Sequence, residues 1–410
     1  MLKIQPSILA ALLLALAGPE QDSRLIPQQP QAGRLWAGAE QCVVRPGKPV
    51  SFLIQSPVSG PVAYTIAEDS RVSPLAKGTV ELQAGRPSKI SATLDHAGFL
   101  LFEARQDKSV ALAAVAVDPD SIASLGEEPK DFDDFWKREL SALKAVPLNA
   151  RAAPGKPQKI ALDGVEGRRI HGWVVLPEGP GPFPAILEFP PYGSGALACP
   201  SPMAGAIYAL VSVHDSDPET PAKNPYQPER ADDHQRNYFK YAALAGVRMI
   251  DYLISLPQTD AKRIAVTGKS QGGGLAIMVA GLDGRVSHLS AVVPAFGQHA
   301  GTRLGRSSGF PWWVWQKDKD GQRKSGDLLL RETAYFETAH FARRFRGSAR
   351  VFAAWIDTVC PPSSVVAVFN GFPGPKELVH GPIQDHDWNQ AGENWWPLWN
   401  SGLKQWAGVR

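Results

Sequence analysis

Three cysteines, Cys42, Cys199 and Cys360, are all that 410 residues carry, so the chain is no disulfide scaffold. Two readings stay open for them: one bridge between Cys199 and Cys360, or three small apolar fillers. Long runs of like charge are also missing. The 43 basic and 40 acidic residues are interspersed and leave a formal net charge of +3, which argues against an electrostatic nucleic-acid surface. Beyond the N-terminus no stretch offers the ~20 charge-free apolar residues of a bilayer span, so stable membrane insertion is not expected. Zinc-like spacing is lacking as well. Asp215, Asp217, Asp232, Asp233, His234, Asp385, His386 and Asp387 form local acidic and histidine clusters, but polar loops account for them without a metal.

What is present is a 44% hydrophobic chain long enough for two domains. Residues 1–17 read as a signal peptide: Lys3 supplies the positive region, Ile8 to Leu16 the apolar region, and Ala15-Leu16-Ala17 a small-x-small cleavage site. A secreted or periplasmic mature protein is expected. Residues 18–34, rich in Pro and Gln between Gln21 and Gln31, suit a linker.

From Leu35 to about residue 120 short alternating runs follow one another, such as Val50 to Ile54, Val62 to Ile66, Lys89 to Leu94, Gly98 to Ala104 and Ala111 to Val117. Turn residues separate them, as in Arg45-Pro46-Gly47-Lys48, and the pattern predicts an immunoglobulin-like β-sandwich. It holds no cluster of catalytic residue types. An amphipathic helix is predicted next, with Phe132, Phe135, Trp136, Leu140 and Leu143 on one face.

After about Lys156 strands alternate with helices: Ile170 to Leu176, Pro184 to Phe189 and Ile207 to Val213 as strands, then Phe239 to Leu256 as a helix. That order predicts a mostly parallel sheet covered on both faces, spanning residues 121–410. Within it, Gly268-Lys269-Ser270-Gln271-Gly272 lies between an apolar strand, Arg263 to Thr267, and a helix-like run, Gly273 to Ala280. This is the setting of a nucleophile elbow, where small flanking residues let a serine stand out on a tight strand-to-helix turn.

A serine hydroxyl needs a base, and the base needs a carboxylate, in the chain order serine, acid, histidine. Asp357 follows the predicted strand Ala349 to Ile356, and His386 lies in a loop after the predicted strand Lys376 to His380. His380 is a rival base but belongs to that strand. Asp385 and Asp387 are rival acids, yet adjacent side chains rarely reach the in-plane contact required. Oxyanion donors are expected from the backbone N–H groups of Gln271 and of Tyr192, since the preceding Pro190 and Pro191 have none.

Ser270-Gln271-Gly272-Gly273-Gly274, Phe189-Pro190-Pro191-Tyr192-Gly193, Asp357-Thr358-Val359-Cys360-Pro361-Pro362-Ser363 and Gly374-Pro375-Lys376-Glu377-Leu378 together resemble the acetylxylan esterase and cephalosporin C deacetylase family. Asp131-Phe132-Asp133-Asp134-Phe135-Trp136 resembles that family's opening helix, and the likeness covers about residues 128 to 390. It implies an α/β-hydrolase fold with Ser270, Asp357 and His386 as triad, Tyr192 and Gln271 as oxyanion donors, no cofactor, and removal of acetyl groups from saccharides or small esters. The family forms a ring-shaped hexamer, but the immunoglobulin-like domain and signal peptide are additions to the family pattern that put this hexamer in question, so the oligomeric state stays open.

The chain departs from the family at three places. Lys269 stands where the family has glycine, with a bearing on substrate charge; Asp385-His386-Asp387 replaces Gly-His-Glu; Val213 to Asp217 replaces an Asp-Arg-Gly-Gln segment. Trp312 and Trp313, between elbow and acid, are candidate substrate contacts. Rival functions are a peptidase on the same scaffold and a polysaccharide-binding protein with an inactive hydrolase domain.

Overall fold

The computed structural model describes residues 33–69, 73–194, 197–198, 200, 203–220, 230–304, 306, 308–312, 326–387 and 396–409. The signal-peptide reading, Cys199 and Trp313 lie outside them. Among the described residues no helix is long and apolar enough to cross a membrane.

The N-terminal part contains β1 (Trp36–Ala39), β2 (Val43–Val44), β3 (Pro49–Gln55), β4 (Gly60–Glu68), β5 (Pro74–Leu82), β6 (Ser88–Thr93), β7 (Gly98–Gln106) and β8 (Ser109–Val117). They form a three-stranded sheet, β1-β3-β6, and a five-stranded sheet, β2-β8-β7-β4-β5. Alternate residues of both turn inward, so Phe52 and Ile54 of one meet Phe102, Ala104, Ala113 and Val115 of the other in a common core.

Helix α1 (Phe132–Ala145) then buries Phe132, Phe135, Trp136 and Leu143, the predicted face apart from a half-buried Leu140. The strands β9 (Arg151–Ala152), β10 (Gln158–Asp163), β11 (Arg169–Val175), β12 (Phe183–Phe189), β13 (Ile207–Val211), β14 (Thr259–Lys269), β15 (Val286–Val292), β16 (Ser348–Ala354) and β17 (Lys376–Gly381) form one sheet. Its order is β17-β16-β15-β14-β12-β13-β11-β10-β9, parallel from β17 through β13 and antiparallel beyond. Helices α2 (Tyr238–Ser255), α3 (Gln271–Leu282), α4 (Gly326–Thr333), α5 (Thr338–Ala342), α6 (Pro362–Asn370) and α7 (Trp396–Ala407) complete the chain. Ten residues or more of α2 and α3 are buried almost all round, which is why neither shows a clean polar face.

The two parts are joined beside the carboxyl ends of the parallel strands. The Asp69 carboxylate accepts the Ser363 N–H at 2.6 Å and so caps α6 from outside its own sheet. Arg306 pairs with Glu68 at 3.0 Å, and the Asn370 amide donates to the Pro119 and Ile122 carbonyls at 2.9 Å. Burial pushes the Asp69 carboxyl up to about 6, against the pull of the Ser363 hydrogen bonds. The folded chain therefore holds this proton more tightly than the unfolded chain. Its contribution to stability falls as pH rises from about 4 to about 6 and stays lost above that.

Asp69→Asn keeps the acceptor and cannot ionise. Thermal unfolding followed from pH 4 to 7 is expected to show the wild type losing up to about 3 kcal/mol relative to this variant across that window. Parallel curves would show that Asp69 does not titrate there.

Candidate active site

The elbow forms because β14 must turn straight into α3 against the end of β12. A Cβ on Gly272 would lie 2.1 Å from the Phe189 carbonyl oxygen, and one on Gly268 would lie 2.4 Å from the Gly272 backbone. Both glycines are therefore required by close backbone approach, not by positive φ. Ser270 itself takes φ 58° and ψ −120°, a conformation that costs a non-glycine residue of order 1–3 kcal/mol. The surrounding bonds hold it there: Ser270 N–H donates to Val292 O at 2.8 Å, and Gly274 and Ala295 N–H groups donate to Ser270 O at 3.0 Å.

The Ser270 side chain meets His386. Nε2 of the imidazole lies 3.0 Å from Ser270 Oγ, and Nδ1 lies 2.7 Å from Asp357 Oδ2. Asp357, fully buried, accepts the Val359 N–H at 2.7 Å and the Cys360 N–H at 2.9 Å on its other oxygen. With one oxygen fixed by the turn after β16, the other has a single direction left, toward the imidazole. The three groups lie on three separate connections at the carboxyl ends of β14, β16 and β17.

The other candidates fall elsewhere. His380 stays in β17 with its ring edge-on to Trp355, 5.5 Å between centroids. Asp385 accepts the Asp387 N–H at 3.0 Å. Asp387 pairs with Lys269 at 2.9 Å, and that hydrogen bond holds the Asp387 carboxyl below its usual range. Two of the departures noted in the sequence thus meet: Lys269, beside Ser270, ties down Asp387, the residue after His386. Of the residues grouped for a metal, Asp215 pairs with Arg168, Asp217 with Lys159 at 3.0 Å, Asp233 with Arg236 at 2.6 Å and His234 with Glu332 at 2.6 Å. Among the described residues no group of three His, Cys, Asp or Glu side chains is arranged to hold a metal ion.

Gln271 begins α3, and the Tyr192 segment follows β12 on the same side of the sheet. Tyr192, half exposed, packs edge-on against Phe310 at 4.7 Å, and Phe310 against Trp312 at 5.5 Å. Sequence reading had no means of finding Phe310 as the link between them. Cys360 is buried behind the site, its thiol pushed well up by burial and by the Asp357 charge.

The acetyl xylan esterase (AXE1) family model matches residues 121–211 and 215–394. The chain belongs to this family. It is 31% identical over 377 residues to acetyl esterase Axe7A of Xylanibacter ruminicola, covering 84% of this chain and 83% of that protein. Among solved structures it is similar to the acetyl xylan esterase from Paenibacillus sp. R4, with TM-score 0.61, 25% identity, and coverage of 71% of this chain and 98% of that one. Acetyl xylan esterase 1 from Thermoanaerobacterium sp. JW/SL YS485 shares the fold at TM-score 0.61 and 20% identity, covering 71% of this chain and 97% of that one. The protein is thus a carboxylic-ester hydrolase of mixed α/β architecture whose solved neighbours are of the α/β-hydrolase class. Strands β1 to β8 all lie before the matched residues, although the alignment with Axe7A is too long to fit within residues 121–410.

Proposed function

We propose that the protein removes acetyl groups from acetylated saccharides or related small esters through a Ser270-His386-Asp357 triad. The observation that carries the proposal is the continuous chain from Ser270 Oγ to His386 Nε2 at 3.0 Å and from Nδ1 to Asp357 at 2.7 Å. His386 takes the hydroxyl proton as Oγ bonds to the acetyl carbon. The backbone N–H groups of Gln271 and Tyr192 receive the negative charge on the carbonyl oxygen, aided by the positive end of α3. His386 then returns the proton to the departing sugar oxygen, leaving an acetyl-serine. Water, deprotonated by the same imidazole, releases acetate and restores Ser270. Each step conserves protons without a metal or cofactor.

The same proposal takes residues 35–120 as an immunoglobulin-like sandwich and residues 121–410 as the catalytic domain. It takes residues 1–17 as a signal peptide that carries the protein out of the cytoplasm. The exposed faces of Tyr192 and Trp312, braced by Phe310, are offered as a stacking surface for a sugar ring.

Acyl preference tests the function directly. Acetyl esters are expected to be hydrolysed at least about tenfold more efficiently than butyryl esters of the same alcohol, with no cleavage of peptide substrates. Preferred cleavage of peptides would contradict the esterase reading.

A further inference from the structure

Strand pairing between β7 and β8 sets Phe99 opposite Ala116, Leu101 opposite Ala114, Glu103 opposite Leu112 and Arg105 opposite Val110. Since side chains alternate along a strand, all eight residues share one face of the sheet. The opposite face, with Phe102 and Val115, fills the N-terminal core. On the shared face Phe99, Leu101, Ala114 and Ala116 are buried in the core of the large α/β part, where Phe99 packs edge-on against Trp355 at 5.5 Å.

The hairpin then rises out of this contact. Glu103, Arg105, Val110 and Leu112 form one wall of a cavity of about 380 Å³. The facing wall comes from the acid and histidine loops, through Ile356, Val359, Asp385 and His386. We propose that this cavity is a saccharide subsite, in which the N-terminal hairpin holds the sugar that carries the acetyl group. The inference rests on the esterase reading given above.

The placement follows from the chemistry. His386 must hand a proton to the leaving oxygen, so the departing alcohol starts next to the imidazole, and the cavity opens beside that residue. Its volume falls within the roughly 300–1,000 Å³ of small-ligand sites. Its lining is amphipathic in the way a pyranose is: Val110, Leu112, Ile356 and Val359 suit the C–H face, and charged side chains suit the hydroxyl rim. Val110 is 39% exposed beside the hairpin turn, and Leu112 on the same wall is half-buried. Arg105 is held by Glu103 at 2.5 Å, which orients its guanidinium along this wall. Carboxylates outnumber the single guanidinium in the lining, so a neutral saccharide is selected over a uronate.

Two measurements on the full chain test this. With acetylated xylo-oligosaccharides, Arg105→Ala is expected to lower kcat/KM about tenfold, mostly through KM, and with methyl acetate, whose one-carbon alcohol does not fill the cavity, to leave kcat/KM unchanged within about twofold. Equal losses on both substrates, or no loss on either, would overturn the subsite. Separately, titration of acetate-free xylotriose into Ser270→Ala is expected to give binding that Arg105→Ala in the same background weakens about tenfold. Binding that Arg105→Ala leaves unchanged, or no binding at all, would overturn it without reference to turnover. An enzyme inactive on every acetyl ester whose xylotriose binding still depends on Arg105 would leave the subsite standing and remove the esterase reading instead.

Discussion

Ser270→Ala is expected to lower kcat for acetyl-ester hydrolysis by about 10⁶-fold while leaving the protein folded and KM within a fewfold of wild type. The size of the effect follows from what Oγ does in the proposed reaction. It is the bond-forming atom, and without it only oxyanion stabilisation and substrate binding remain, worth roughly 10³-fold over water. No neighbour can stand in. Cys360 is a second nucleophilic side chain near the site, but it is fully buried and its thiol is pushed well above the usual range, so thiolate is scarce. The deletion costs little structurally, since the turn is fixed by backbone bonds from Ser270 N–H and to Ser270 O. Acetate release, read beside thermal unfolding, checks both halves of the prediction.

Asp357→Asn is expected to cost about 10⁴-fold in kcat, with only a small change in stability. The two N–H groups of Val359 and Cys360 require an oxygen, and the asparagine oxygen must take the position they define. Its NH₂ then faces His386 Nδ1 in place of the carboxylate oxygen. A donor there forces Nδ1 to be an acceptor and moves the imidazole proton to Nε2, the atom that must receive the proton of Ser270. The geometry would survive and the tautomer would be wrong. Asp385 and Asp387 cannot rescue the variant, because one is turned to the Asp387 N–H and the other to Lys269. Activity within tenfold of wild type would show that another group sets the tautomer.

The elbow was legible in the sequence because its constraint is local. Gly268 and Gly272 are glycine for steric reasons that act within a few residues, and the flanking apolar runs give the strand and the helix away. The positions of Asp357 and His386 could be read for a related reason: each follows a parallel strand at its carboxyl end. Several strands were missed where the local pattern is weak. β15 is central and buried, yet Ser287, His288 and Ser290 break its apolar run; His288 is accommodated only in the fold, where Nδ1 lies 2.8 Å from Ser348 Oγ and the ring stacks on Trp406 at 5.3 Å. β5 is an edge strand with mostly exposed residues, and its polar alternation resembles a loop.

Contacts between distant segments left no trace of this kind. Asp69 and Ser363 are 294 positions apart, and neither reads as half of an interface. The run Phe99-Leu100-Leu101-Phe102 was read as one of the alternating strands, whereas in the fold it is buried on both faces. What covers the second face depends on how the sheet docks on the α/β part. The pairing of Lys269 with Asp387 was equally hidden, although both positions stood out as departures from the family pattern.

The central claim is that an acetyl group passes through Ser270. Wild-type protein mixed with a chromogenic acetyl ester, quenched in acid within the first turnover and digested, should yield one acetylated peptide, the one containing Ser270. Ser270→Ala should yield none and release no acetate above background. An acetyl group trapped on any other residue, or steady acetate release by Ser270→Ala, would contradict the account.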